Sequence, residues 1–260
     1  MSEVAKGKHL WFDLMTTDPG AAKDFYTKVV GWKPEKWQSQ NAPMPYDMWM
    51  TENGPIGGVM QLPEEAAKMG APSHWIAYIG TPDVDQTVEQ AKKLGATLLH
   101  GPMDIPEVGR FATLADPFGA VFAAYTPAGE MPGHDGMPRP GEMSWHELMT
   151  KDWGKAFDFY ATLFGWEKGE PMDMGPMGVY QIFHQGGAPI GGMMNLPDGV
   201  PVSHWMYYVR VSDLDGALDR VKANGGQVLN GPMDVPGGDK IAQCMDPTGA
   251  AFALHMSAQA

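Results

Sequence analysis

One cysteine, Cys244, stands in 260 residues, so no intrachain disulfide can form and nothing points to an oxidising compartment. Basic residues are scarce as well. There are 18 Lys and Arg against 31 Asp and Glu, a net charge of -13. A chain of that sign lacks the basic footprint that nucleic acid or an anionic membrane surface requires. No stretch approaches the roughly 18 uninterrupted apolar residues of a membrane span, and the first residues carry no apolar leader, so a cytoplasmic protein is expected. Three catalytic signatures are missing: the Gly-x-x-x-x-Gly-Lys phosphate loop, the Gly-x-Ser-x-Gly elbow and the His-Glu-x-x-His helix. What remains is 43% hydrophobic and 19% charged, long enough for two domains with real cores.

Internal repetition sets the architecture. At an offset of 134, Trp11–Trp32 and Trp145–Trp166 agree at 12 of 22 positions. The register continues through Pro55–Gly58 over Pro189–Gly192, then slips to an offset of 130, because the first copy carries four extra residues around Glu64–Ala71. Ser73–Trp75 then lies over Ser203–Trp205, and Asp116–Ala120 over Asp246–Ala250. The Pro- and Gly-rich segment between the copies has linker composition. The expected organisation is a first domain over 1–126, a linker over 127–141 and a second domain over 142–260.

A finer grammar repeats inside each copy. Leu10–Thr16 reads as a strand, Asp18 as a helix N-cap with Pro19 in the first turn, and Ala22, Phe25, Tyr26, Val29 and Val30 as one buried helical face closed by Gly31. Asp83, Asp152 and Asp213 head the other three helices. Short strand-like runs follow each helix, and Asp116–Gly119 reads as a tight turn with Pro second and Gly fourth. Each module reads β-α-β-β-β, and four of them make an α+β fold with mixed or antiparallel sheets.

The motifs Asp18…Asp24-Phe25-Tyr26…Gly31-Trp32, Ser73–Trp75 and Asp116–Gly119, each with its second-half partner, resemble the vicinal oxygen chelate superfamily of glyoxalase I, bleomycin-resistance proteins and extradiol dioxygenases. More narrowly, the chain resembles tandem two-domain glyoxalase-like proteins of bacteria. The resemblance implies two modules per domain whose curled sheets enclose a cleft. It also implies a divalent metal there, held by four side chains, acting as a Lewis acid on two neighbouring substrate oxygens.

Carried over position by position, the resemblance places Trp11, about Gln61, His74 and Ala123 at the metal-facing positions of the first copy. In the second copy it places Trp145, about Asn195, His204 and Ala253 there. Only His74 and His204 are ligands of the usual kind. The inherited metal site is therefore expected to be degraded in both halves, and no cofactor is assigned with certainty. Side chains two apart on a strand share a face, so Asp13 follows Trp11 and Glu147 follows Trp145. A displaced divalent metal in the second domain would use Glu147, His204 and His255.

Asp13, His74, Glu147 and His204 are thus the catalytic candidates, the carboxylates as bases and the imidazoles as polarising donors or as acid–base groups. Trp11, Trp49, Gln61, Tyr125, Trp145, Asn195 and His255 are the candidate substrate-lining residues, with Trp75 and Trp205 beside them. His146 points away from Trp145's face and reads as packing or surface; His9 receives no role. Cys244 reads as an inert core thiol. Gly191 and Gly192 read as strand punctuation.

Three functions stay open: a glyoxalase-like lyase or isomerase on a small carbonyl compound, a protein that sequesters an aromatic metabolite without chemistry, and a scaffold. The partner expected is a small molecule, neither nucleic acid nor membrane, and the chain is expected as a monomer or homodimer.

Overall fold

An aspartate starts each helix of the repeat, its carboxylate accepting an amide that the first turn leaves without a helical partner. Asp18 accepts from Ala21 N at 2.9 Å, Asp83 from Gln86 N at 2.9 Å, Asp152 from Lys155 N at 3.0 Å and Asp213 from Gly216 N at 3.0 Å. Gly31 and Gly165 close two of these helices at φ of +82° and +74°, a left-handed conformation that a side chain would strain.

The computed structural model describes residues 6–38, 45–131 and 136–258, so 132–135 of the expected linker lie outside it. The first half runs β1 (His9–Thr16), α1 (Pro19–Val30), β2 (Lys33–Lys36), β3 (Tyr46–Thr51), β4 (Gly54–Gln61), α2 (Glu64–Lys68), β5 (His74–Gly80), α3 (Val84–Lys93), β6 (Thr97–Ile105), β7 (Gly109–Ala115) and β8 (Val121–Pro127). The extra residues of the first copy form α2. The second half repeats the series as β9 (Met143–Thr150), α4 (Trp153–Phe164), β10 (Glu167–Asp173), β11 (Val179–Gln185), β12 (Ala188–Asn195), β13 (His204–Arg210), α5 (Leu214–Ala223), β14 (Gln227–Asp234), β15 (Lys240–Met245) and β16 (Ala251–Met256). The fold is α+β, with two eight-stranded mixed sheets. Their orders are β2-β3-β4-β1-β5-β8-β7-β6 and β10-β11-β12-β9-β13-β16-β15-β14. No helix among the described residues is long and apolar enough to cross a membrane.

Contacts group the chain into two compact units that do not follow the halves of the sequence. One unit comprises Met1–Trp11, Ile76–Met131 and Trp145–Trp205; the other comprises Phe12–Trp75, Pro132–Ser144 and Met206–Ala260. We call them the inner-module and outer-module units. Each therefore pairs one module of the first copy with one of the second.

The core of the outer-module unit centres on Tyr26 of α1, stacked on Trp32 and edge-on to Trp49, Trp75 and Phe252. The Tyr26 hydroxyl accepts from Trp75 Nε1 at 2.9 Å and donates to Asp246 Oδ2 at 3.1 Å, 220 residues away. Burial, with Asp246 alongside, pushes the Tyr26 phenol well above its ordinary pKa. Asp246 Oδ1 meanwhile accepts the amides of Thr248 and Ala250 and so shapes its own turn. In the inner-module unit, Tyr160 repeats the device, accepting from Trp205 Nε1 and donating to Asp116 Oδ2, both at 3.1 Å. The helix motif and the turn motif are thus two ends of one hydrogen bond. Tyr26→Phe leaves Trp75 Nε1 without an acceptor and one Asp246 oxygen without its donor. We expect it to cost about 2 kcal/mol in urea denaturation, with a loss under 0.5 kcal/mol arguing that water replaces the hydroxyl.

Candidate functional site

In the outer-module unit β1 runs parallel to β4, with Phe12 opposite Gly57 and Asp13 opposite Gly58. β3 pairs antiparallel on the other side of β4, placing Met48 opposite Gly58 and Tyr46 opposite Met60. Partners across a ladder share a face, so Asp13, Met15, Tyr46, Met48 and Met60 form one side of this half-sheet. Phe12, Leu14 and Trp49 form the other, under α1. The helix side is fully core, whereas Met15, Tyr46, Met48 and Met60 are only half-buried.

Asp13 sits on the open side yet is 3% exposed, and its Oδ1 accepts from the Tyr46 hydroxyl at 2.6 Å. Two glycines make this possible. A Cβ on Gly57 would fall 1.8 Å from the Phe12 carbonyl oxygen, and one on Gly58 would fall 2.1 Å from the Tyr46 ring. The first glycine lets the strands approach; the second gives the tyrosine ring a place to lie. The inner-module unit repeats the pattern, with Gly192 opposite Glu147, the Tyr180 ring over Gly192 and the His146 carbonyl against Gly191. There Trp145 Nε1 donates to the Tyr180 hydroxyl at 2.7 Å, and Glu147 is 6% exposed. Reading Gly191 and Gly192 as punctuation missed Tyr180 and, in the first copy, its counterpart Tyr46. The signal was present, because both tyrosines precede their Gly-Gly at the same spacing.

His74 and His204 open β5 and β13, each followed by a core tryptophan, so strand alternation turns each imidazole to the face away from the helices. Both rings are oriented the same way. His74 Nδ1 donates to the Pro72 carbonyl at 2.7 Å, and His204 Nδ1 to the Val202 carbonyl at 2.9 Å. A carbonyl can only accept, so the neutral ring carries its proton on Nδ1 and a lone pair on Nε2. Of the two expected roles this tautomer suits the acid–base one, since the neutral imidazole accepts a proton or a hydrogen bond at Nε2, whereas a polarising donor would need its proton there. The serine before each histidine is buried and fixes the preceding loop, Ser73 Oγ lying 3.3 Å from Thr16 Oγ1 and Ser203 Oγ 3.2 Å from Thr150 Oγ1.

Several expected lining residues lie elsewhere. Trp49 is fully buried against Tyr26 and Trp32, Trp75 bonds Tyr26, and Trp205 bonds Tyr160; all three are helix-side core. Gln61 is exposed at the end of β4, opposite Thr16 on the helix side, and reaches the Thr17 carbonyl. Asn195 likewise lies opposite Thr150, and its Oδ1 accepts from Trp153 N at the start of α4. Both fall an odd number of residues after the glycine opposite the acid, hence on the wrong face. Trp11 and Trp145 are half-buried, and Tyr125 is buried with its hydroxyl on the Val108 carbonyl at 2.8 Å.

The expected displaced metal set does not fit. His255 Nδ1 lies 2.8 Å from Ser144 Oγ and Nε2 lies 2.9 Å from Asp239 Oδ2, so both ring nitrogens are engaged. Burial would raise the Asp239 carboxyl, but the Ala258 amide, His255 and, more remotely, Arg210 hold it below the usual value. Among the described residues no group of three or more His, Cys, Asp or Glu side chains is arranged to hold a metal ion. Burial pushes the Cys244 thiol up to about 12, which makes it a poor nucleophile.

His9 and His146, given no site role from sequence, stack at 3.7 Å in the inner-module unit; His146 is buried, and His9, half-buried as a residue, has its ring nitrogens shut away from solvent. Burial drives His146 down to about 4, partly offset by its bond to the Ile190 carbonyl at 2.6 Å. Burial, with His146 beside it, lowers His9 as well.

The family model for the Glyoxalase/Bleomycin resistance protein/Dioxygenase superfamily matches the chain twice, at residues 8–123 and 143–254. The chain is 32% identical over 254 residues to "Putative glyoxylase CFP32" of Mycobacterium tuberculosis, covering 97% of this chain and 96% of that one. It is also 32% identical over 266 residues to anthracycline biosynthesis protein DnrV of Streptomyces peucetius, covering 98% and 94%. Among solved structures it is similar to the Mn(II)-bound glyoxalase from Novosphingobium aromaticivorans, with a TM-score of 0.65, 15% identity, and coverage of 100% and 84%. The 2,3-dioxygenase LapB from Pseudomonas sp. KL28 gives 0.62, 12%, and 100% and 94%. At such identities the structural likeness speaks for the fold alone.

Proposed function

The chain belongs to the Glyoxalase/Bleomycin resistance protein/Dioxygenase superfamily, and on that footing we propose that it takes up a small organic molecule with a hydroxyl or carbonyl group on an apolar or aromatic body. The observation that supports this most is the oriented imidazole of His74 and of His204. A ring tied by Nδ1 to a backbone carbonyl presents Nε2 as a fixed proton acceptor, suited to a ligand hydroxyl or to a proton next to a carbonyl. The half-buried Met15, Met48 and Met60 give the Asp13 side an adaptable apolar surface. The Tyr46–Asp13 bond supplies a buried polar feature. A ligand that reaches Asp13 meets a hydroxyl and a carboxylate oxygen held 2.6 Å apart.

A second reading, sequestration without turnover, is favoured by the lack of a convergent ligand set among the described residues. The two readings separate on one pair of variants. Titrating the intact chain with 2-hydroxyacetophenone, followed by tryptophan fluorescence, is expected to show saturable quenching. His74→Gln and His204→Gln are each expected to weaken quenching three- to tenfold at the copy that binds. Consumption of the ketone that either variant abolishes selects the enzyme; quenching without consumption selects the binder. Quenching indifferent to both substitutions removes the histidines from the site.

A further inference from the structure

A cleft of about 750 Å³ lies in the outer-module unit, where the end of α1, the β3–β4 turn, the segment Arg139–Gly141 and the start of α5 come together. The whole chain contains four arginines, and three of them, Arg139, Arg210 and Arg220, line this cleft together with Lys28. Two acids, Glu52 and Asp213, also line it, and one Asp213 oxygen is already committed to the α5 cap. A protein of net charge -13 thus concentrates positive charge in one concave place.

The guanidiniums are held by neutral acceptors. Arg139 Nη1 donates to Asn53 Oδ1 at 2.8 Å, Arg220 Nε to the Val29 carbonyl at 3.2 Å, and Arg210 Nη1 to the Pro138 carbonyl. Among the described residues none of the three, nor Lys28, forms an ion pair. The fourth arginine behaves differently: Arg110 bonds Asp85 and Asp104 and is neutralised. A guanidinium carries five N–H donors, so one bond to a carbonyl or amide orients it and leaves both its charge and most of its donors available.

The duplication supplies an internal control. The inner-module unit repeats the framework of this place, since Trp32 Nε1 donates to the Gly141 carbonyl at 2.7 Å and Trp166 Nε1 to the Gly7 carbonyl at 2.8 Å. At the repeat-related positions, however, Lys28 is replaced by Thr162, Arg210 by Gly80 and Arg220 by Gln90. The fold therefore stands without these charges, and their gathering in one unit needs another reason.

We propose that this cleft binds a small polyanion, a phosphate-bearing or polycarboxylate metabolite, through Lys28, Arg139, Arg210 and Arg220. Planar, bidentate donors that are already oriented are what such oxygens require. A long nucleic acid does not fit the role, because the acidic remainder of the surface repels it. The site stands apart from the Asp13 face and does not depend on the reading given for that face.

Isothermal titration of the intact chain at low salt, with inorganic pyrophosphate and separately with tricarballylate, tests it. One saturable site per chain is expected for at least one of the two, and the tighter anion identifies the ligand's chemistry. Arg220→Gln and Arg139→Gln are each expected to weaken binding about tenfold. Arg110→Gln, already paired elsewhere, leaves it unchanged. Lys28→Gln removes an exposed side chain with no structural tie, so its expected loss of about threefold is free of any folding defect. Absence of saturable binding by either anion overturns the proposal. So does binding indifferent to Lys28→Gln and both arginine variants, or matched by chloride at equal concentration, which means an adventitious ion only.

Discussion

Acidification from pH 6.5 to 5 is expected to cost this protein about 2 kcal/mol through His146 alone, with His9 adding in the same direction. The native pKa of His146 lies at about 4, against 6.5 for an unperturbed imidazole. Between those values the unfolded chain binds a proton that the native state refuses, so stability is fully present above pH 6.5 and falls as the pH drops toward 4. Each pH unit in that window costs about 1.4 kcal/mol through His146. The physical cause is the stack at 3.7 Å, shut away from water, in which protonation of either ring would bury a charge beside its neighbour. Urea denaturation at constant ionic strength measures the slope, and His146→Asn should flatten it by about one proton. A variant with the wild-type slope would show that the pair titrates freely in the native state.

Gly57→Ala is expected to lose more than about 4 kcal/mol, enough to prevent accumulation of folded protein, whereas its neighbour Gly58→Ala should lose about 1–2 kcal/mol. The methyl added at Gly57 meets the Phe12 carbonyl at 1.8 Å, a backbone atom fixed by the parallel β1–β4 ladder, and nothing can give way. The methyl added at Gly58 meets the far end of the Tyr46 ring, which can rotate out. Its cost is the bond to Asp13, so Gly58→Ala should disturb ligand binding more than stability. Gly191→Ala and Gly192→Ala should divide in the same way, through the His146 carbonyl and the Tyr180 ring. Equal stabilities for the Gly57 and Gly58 variants in a thermal melt would refute the distinction between immovable backbone and movable side chain.

The candidate site was legible only in part, and parity explains where reading stopped. His74, His204, Asp13 and Glu147 follow from strand alternation counted from one residue. Trp49, Gln61 and Asn195 failed because their side chains depend on ladder register across β3–β4, β4–β1 and β12–β9, and a shift of one residue reverses the face. β3 carries such an irregularity between Trp49 and Met50. The roles of His255 and His146 were out of reach for another reason. Their partners, Asp239 with Ser144 and His9 with Ile190, stand 16 to 137 positions away along the chain, and no local pattern names them.

From the order of residues alone come the duplication, the four β-α-β-β-β modules, the aspartate caps, the glycine stops and the turns that begin with Asp116 and Asp246. All of these rest on backbone geometry within a few residues, where side-chain chemistry acts directly. The tertiary structure decided which modules pack together, drawing one from each copy into each compact unit, and which oxygen receives each buried hydroxyl. It also decided that three scattered arginines meet around one cleft. Those outcomes depend on long-range packing and charge, whose energies are set by distance in space and not by separation along the chain.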